Sequence, residues 1–329
     1  MKTRIRNYTI GCLFLLCVVF LISIFIGKYS LSFNEIISIF NKEADPMDYN
    51  VFINLRLPRI IMAVMAGFTL AYVGSILQTI FKNPLASPDI IGMSSGASAG
   101  AAVAIVAMSG SFMITMVSAF TGGILAVILA IILANCAKKK RLASFVLSGI
   151  VVNSICQSII MSMKLVADPE KQLGAIEFWM MGGLNVITLD KLLLVIPICL
   201  IALFVLYIIS RKIELLALDD QDAVSLGINV RYFRPLVLSF STLAVASVVS
   251  VVGLISFIGL IAPHIARLIA KRNGRSTWLL SGVLGSVLLV IADAFARSLF
   301  SIELPISIVT SIVGAPMLFF FMVKEDKLL

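Results

Sequence analysis

The sequence predicts an all-α polytopic membrane protein of about ten transmembrane helices with both termini cytoplasmic, and three observations carry that prediction. First, 60% of the 329 residues are hydrophobic and only 13% are charged, whereas a water-soluble domain carries roughly 45–50% apolar and 25% charged residues. Too little polar surface remains for a body in water, and a large extramembrane catalytic domain is excluded. Second, the apolar residues gather into ten runs close to the ~20 residues that one helical crossing needs. The runs are uniformly apolar rather than alternating, so they read as helices, which satisfy their own backbone in lipid. Third, with the N-terminus inside, 18 of the 26 Lys and Arg residues fall on the cytoplasmic side, as the positive-inside rule requires.

The first run, from about 8 to 27, follows Lys2, Arg4 and Arg6. It is too long for a signal peptide and no small-x-small cleavage site follows, so it reads as a retained span. The stretch 28 to 57 is polar enough for water, and Ser32 with Glu35 forms a capping-box pattern for a short helix through Phe40. Further spans follow at about 58 to 81, 93 to 109, 112 to 136, 142 to 166, 190 to 210, 234 to 253, 256 to 270, 276 to 299 and 305 to 323. The short runs at 93 to 109 and 256 to 270 imply tilt, burial or partial crossing. The whole chain, 1–329, reads as a single transmembrane domain.

Lys138 to Arg141 and the basic residues at 211 to 234 and 267 to 275 dominate the inner side. Lys28, Lys42, Arg56, Arg59, Lys164, Lys171, Lys191 and Arg297 lie outside. Topology therefore accounts for the net charge of +9 without nucleic acid. The five cysteines sit inside apolar runs with no metal-ligand spacing and read as small hydrophobes. The longest inner loop, 211–234, holds Leu215, Leu216, Leu218, Ala223, Val224, Leu226 and Val230 at spacings that suit short amphipathic helices, with Gly227 as a stop. Such a surface fits a soluble partner. Gly74 and Pro84 are spaced like Gly253 and Pro263. Spans 2–5 and 7–10 start from opposite sides, so a relation between them would be an inverted repeat.

Motifs for catalysis are sparse. No G-x-x-x-x-G-K-[ST] phosphate loop occurs, so any ATP and Mg would be bound by another subunit. Gly92 to Gly96 matches G-x-S-x-G around Ser94, but a nucleophile elbow needs a preceding strand and a His base, and here the motif opens an apolar helix. Gly92, Gly96 and Gly100 read instead as a face for close helix packing along a pathway. Asp219, Asp220 and Asp222 superficially resemble a metal-binding acidic cluster, yet they lie in a loop with no second acidic motif, and a solvated or partner-facing helix start explains them better. Asp293 and Arg297 form an i,i+4 pair near the outer end of the ninth span. Pro263, His264 and Arg267 read as a structural turn–helix junction. Few ionisable groups lie at mid-membrane, which disfavours an ion-coupled carrier, the rival reading.

The strings Arg56-Leu57-Pro58-Arg59, Asn83-Pro84-Leu85-Ala86, Ile91 to Ala97, Leu226-Gly227, Phe257 to Arg267, Glu303-Leu304-Pro305 and Gly314-Ala315-Pro316 closely resemble the FecCD permeases. These are the membrane subunits of ABC importers for ferric siderophores, haem and vitamin B12. The resemblance runs from about Arg56 to Met322. It implies a ten-helix subunit of a bacterial-type cytoplasmic membrane that pairs with a second permease, identical or related, around a central path. Two ATP-binding-cassette ATPases would lie below and a substrate-binding protein outside, with no enzyme activity in this chain. It further implies outward-facing docking arginines at Arg56, Arg59 and Arg297. ATPase coupling would fall to Asp219, Asp220, Ala223, Leu226 and Gly227, and a cytoplasmic gate to Asn83, Leu85 and, on the next inner turn, Ser144.

Overall fold

A computed structural model describes residues 2–29, 31–108, 110–137, 142–299 and 303–325. Lys138 to Arg141 and Lys327, which help to orient the chain, lie outside the described residues, as do the side chains of Lys2 and Lys324. The described elements are helical throughout. They run α1 (Lys2–Phe25), α2 (Phe33–Asn41), α3 (Pro46–Tyr49), a π-helical turn (Asn50–Arg56), α4 (Leu57–Ile80), a 3-10 turn (Pro88–Ile91), α5 (Met93–Ala107), α6 (Phe112–Cys136), α7 (Leu142–Val166), α8 (Gln172–Met181), α9 (Leu189–Ile208), α10 (Ser210–Leu215), α11 (Asp220–Ser225), α12 (Val230–Val252), α13 (Ile258–Ala270), α14 (Arg275–Ser298) and α15 (Ile306–Glu325).

All ten expected spans are present, as α1, α4, α5, α6, α7, α9, α12, α13, α14 and α15. Seven helical stretches are long and apolar enough to cross a membrane alone, while α5, α13 and the apolar part of α15 are shorter. The Ser32 capping box forms, with the Ser32 hydroxyl accepting from Glu35 N–H and the Glu35 carboxylate accepting from Ser32 N–H. Two elements depart from expectation. The second span does not begin near 58: helix runs unbroken from Pro46 to Ile80. Pro46 starts it under an Asp45 cap, and the π turn absorbs the register change before α4. The segment between the fifth and sixth spans contains α8, whose mixed composition carries no long apolar run. Pro263, expected at a turn–helix junction, lies inside α13. The reversal comes earlier, at Phe257 with φ 66°.

Three helices form the centre. The apolar windows of α4, α12 and α14 are 78%, 72% and 67% buried, against 11% for α1, so α1 lies at the periphery. Small residues let the central helices meet. A Cβ on Gly67 would strike the Gly285 carbonyl oxygen and stand 2.8 Å from Ser286 Cα. The Ser286 and Ser281 hydroxyls donate across to the Val64 and Ala71 carbonyls at 2.8 and 3.0 Å. The packing pairs recur between the halves. Helix α4 packs on α14 as α12 packs on α6, α5 on α6 as α13 on α14, and α5 on α7 as α13 on α15. Both short helices also start from a left-handed residue, Gly92 at φ 79° and Phe257 at φ 66°.

Helix α13 shows how a proline is accommodated in this core. Pro263 has no N–H for the carbonyl one turn earlier, that of Gly259. Gln78 Nε2 on α4 donates to that carbonyl at 3.4 Å, while Gln78 Oε1 accepts from Arg267. One amide thus serves both the vacated carbonyl and the guanidinium.

Gly285→Leu should destabilise the protein by roughly 1–3 kcal/mol or more, as overpacking does, because its side chain would meet the Gly67 carbonyl. Gly174→Ala in α8, which meets nothing within 4 Å, should be neutral or slightly stabilising. Thermal melting of the two variants in one detergent checks the difference.

Candidate functional site

Three regions collect the functional candidates, and the first lies at the outer ends of α1, α4 and α14. Arg56, Arg59 and Arg297 line one cavity of about 240 Å³ together with Lys28, Tyr29 and Glu303. These three arginines, expected to face outward for docking, are only 5%, 8% and 4% exposed. Arg59 Nε donates to Asp293 Oδ1 and its Nη1 to Glu303 Oε2, both at 2.9 Å. Arg297 Nε lies 3.1 Å from Asp293 Oδ2, an ion pair not aligned as a hydrogen bond, and Arg297 Nη2 donates to the Ser23 hydroxyl at 2.6 Å. Arg56 donates to the backbone carbonyls of Ile24, at 2.7 Å, and Tyr29. Gly27 makes room for it, since a Cβ there would sit 2.7 Å from Arg56 Nη2. A guanidinium withdrawn from water needs such partners. The i,i+4 pair of Asp293 with Arg297 is therefore one side of a larger inward-facing cluster, not a surface pair.

The second region is the inner loop. Asp219 accepts from Lys82 Nζ at 2.6 Å, and that hydrogen bond, helped by the ammonium charge, holds the Asp219 carboxyl below its ordinary pKa. Asp220 accepts from Arg234 Nη2 at 2.8 Å. Ala223, expected to face a partner, is instead buried against its own chain, as is Leu216. The exposed apolar tip is formed by Val224 and Leu226, 60% and 58% accessible. Gly227 follows at φ 84°, with nothing within 4 Å of where a Cβ would stand. Val224 belonged to the amphipathic pattern but not to the expected coupling set. Among the described residues no group of three or more His, Cys, Asp and Glu stands close enough to hold a metal ion.

On the adjacent inner turns, Asn83 and Leu85 are exposed, and Asn83 Oδ1 caps the turn by accepting from Leu85 N–H at 2.9 Å. Ser144 lies in the first turn of α7. Helix α7 packs on the 3-10 turn after Leu85, with Gly149 set against Ile90 and Ile91. Along α5, a Cβ on Gly96 would meet Ala126, one on Gly100 the Ser118 carbonyl, and one on Gly92 the Val152 side chain at 2.9 Å. No strand precedes Ser94 among the described residues, so the nucleophile elbow is absent. The His264 ring stacks on Phe321 of α15 with centroids 4.3 Å apart.

The third region was not singled out from sequence. One face of α7 buries Phe145, Gly149, Val152, Cys156 and Ile160, while Asn153, Ser154, Gln157, Ser158 and Ser162 are exposed within the span. The three serines return their protons to carbonyls one turn back, at 2.9 to 3.0 Å. The amides of Asn153 and Gln157 have no such local outlet, and lipid offers none. Their i,i+4 spacing was the available signal.

The comparisons agree with this architecture. The FecCD transport family model matches residues 15–324. The molybdate import system permease protein MolB of Haemophilus influenzae is 34% identical, covering 93% of this chain and 92% of that protein. The hemin transport system permease protein HmuU of Yersinia pestis is 33% identical over 96% of this chain and 95% of its own. The Fe(3+)-citrate import system permease protein YfmE of Bacillus subtilis is 36% identical, over 83% and 81%. A solved metal-chelate type ABC transporter in an inward-facing conformation superposes with a TM-score of 0.89 at 32% identity, covering 97% of this chain and 99% of that one. Ten apolar helices, a buried arginine cluster at one end, an exposed apolar loop tip at the other and this match over nearly the whole length lead to one conclusion: the chain is a multi-pass membrane permease that belongs to the FecCD transport family of ABC importers.

Proposed function

We propose that the chain forms half of a translocation path for a ferric siderophore or similar metal chelate. A substrate-binding protein would deliver the chelate on the outer side, and two partner ATPases that bind ATP and Mg would drive its passage. The observation that carries this reading is the polar face of α7, where Asn153 and Gln157 are exposed within a span and require water or a second permease rather than lipid. An iron chelate as cargo is supported by relatives named for iron chelatin, hemin and Fe(3+)-citrate. The absence of a metal-ligand cluster among the described residues is compatible with a cargo that keeps its own ligands.

The outer cluster holds three guanidinium groups beside a cavity that Glu303 also lines, with Asp293 buried behind them, an excess of positive charge that would favour an acidic lobe of the binding protein. The exposed pair Val224 and Leu226 fits an apolar groove on an ATPase, with the Lys82–Asp219 and Arg234–Asp220 pairs bracing the loop behind it. Movement of that loop would pass directly to the turn at Asn83 and Leu85 through Lys82.

Reconstituted vesicles test the reading. With ATPase and ATP inside and binding protein outside, uptake should require ATP and should follow a ferric siderophore in preference to haemin, vitamin B12 or molybdate. Uptake driven by an ion gradient without the ATPase would overturn the assembly, and exclusive uptake of molybdate would overturn the cargo. Replacing Asn153 and Gln157 by Leu should lower uptake severalfold without lowering the melting temperature.

At the outer face, Glu303→Gln should tighten binding-protein docking by freeing Arg59, and Arg59→Gln should weaken it by about tenfold in Kd, both effects shrinking at high salt. Equal affinities in low salt would reject the docking assignment. At the inner face, Val224→Asp with Leu226→Asp should abolish co-purification of the ATPase while the permease melts unchanged, because both side chains are exposed. Gly227→Val should weaken coupling as well, since φ 84° is a left-handed geometry that a β-branched residue adopts at a cost of roughly 1–2 kcal/mol.

A further inference from the structure

An apolar groove of about 710 Å³ lies between α1, α4, α9 and α14, with Leu16, Met65, Phe68, Phe204 and Val283 among its walls. Its α9 side is open, for Ile201 and Phe204 are 60% and 63% exposed. On α14 the wall runs from Leu279 to Ser286, and Arg275 stands one turn before it. From Arg275 to Ser286, at ~1.5 Å per residue, is ~16 Å, about one leaflet's half of the ~30 Å hydrocarbon core. The groove together with its mouth at Arg275 therefore spans about one leaflet.

Its cytoplasmic mouth is basic. The Arg275 guanidinium lies 4.0 Å over the ring of Tyr207, which lines the groove, and no carboxylate pairs with that guanidinium among the described residues. Glu214, the nearby acid, accepts from the Arg275 backbone N–H instead. Arg211 and Lys212 follow Tyr207 within two turns and are exposed, and Arg272 Nε is buried without a hydrogen-bond partner. Within the groove, Tyr72 is 1% exposed and its hydroxyl also has no partner. A buried hydroxyl in that state lacks an acceptor, and the ester oxygens of a glycerolipid are acceptors.

We propose that this groove is a binding site for an anionic phospholipid of the cytoplasmic leaflet. One acyl chain lies between α9 and the α4–α14 pair, and the headgroup phosphate meets Arg275 and the basic residues beside it. The site is independent of the cargo the permease carries.

The test uses the purified permease–ATPase assembly in micelles containing equal amounts of phosphatidylglycerol and phosphatidylethanolamine with identical chains, retained lipid being counted by native mass spectrometry. The unmutated protein should retain phosphatidylglycerol preferentially. Arg275→Gln should cut that preference about fivefold, the effect of one basic residue at a membrane surface. Ile201→Trp, which fills the groove from its open side, should reduce retention of both lipids, and melting in lipid-free micelles should show both variants folded. Equal retention of the two lipids by the unmutated protein, or retention undiminished by either substitution in a folded variant, overturns the proposal.

Discussion

One carboxylate organises the outer half of this protein. Asp293 is wholly buried, and a charge withdrawn from both water and lipid headgroups persists only where opposite charges and hydrogen-bond donors surround it. Arg59 from α4 and Arg297 from its own helix supply them. Those two guanidinium groups then reach Glu303 ahead of α15 and Ser23 on α1. Four segments distant in sequence are thereby fixed to a single point. Removing either arginine would leave the carboxylate with half its compensation, a loss that typically costs about 3–5 kcal/mol when a buried pair is broken.

Deeper in the protein, attraction of another kind takes over. Between helices in lipid, burying apolar surface gains little, so close backbone approach and short interhelical hydrogen bonds decide which helices meet. Glycines at 67 and 285 bring α4 and α14 together, and those at 96, 100 and 122 bring α5 and α6 together. Gln78 belongs to this economy too, replacing the hydrogen bond that Pro263 removes from α13.

Where the chain does not satisfy itself, it indicates what must come from outside. The amides on α7 call for water or a second permease, the Val224–Leu226 tip for an apolar groove, and the outer cluster with its excess guanidinium for acidic groups. The Tyr72 hydroxyl and the Arg275 guanidinium make a corresponding demand on lipid.

The sequence by itself determined the number of spans, their order, their limits to within a few residues except at the start of the second, the Ser32 capping box and the family. These depend on composition, run length and local motifs, which are properties of contiguous chain. It also marked Arg56, Arg59, Arg297 and the 211–234 loop as sites. Only the tertiary structure decided how those residues are packed and paired. The buried state of Arg59 depends on Asp293 and Glu303, more than two hundred positions away, and no local pattern encodes such a contact. Ala223 and Val224 are adjacent and both apolar, yet one packs inward and the other faces out, because the docking of α11 against the body sets the helix rotation. The unbroken helix from Pro46 and the short α8 escaped notice because neither stands out by apolar length. All ten spans are greasy in sequence, and which three form the core depends on where small residues on different helices meet, a fact of three-dimensional packing alone.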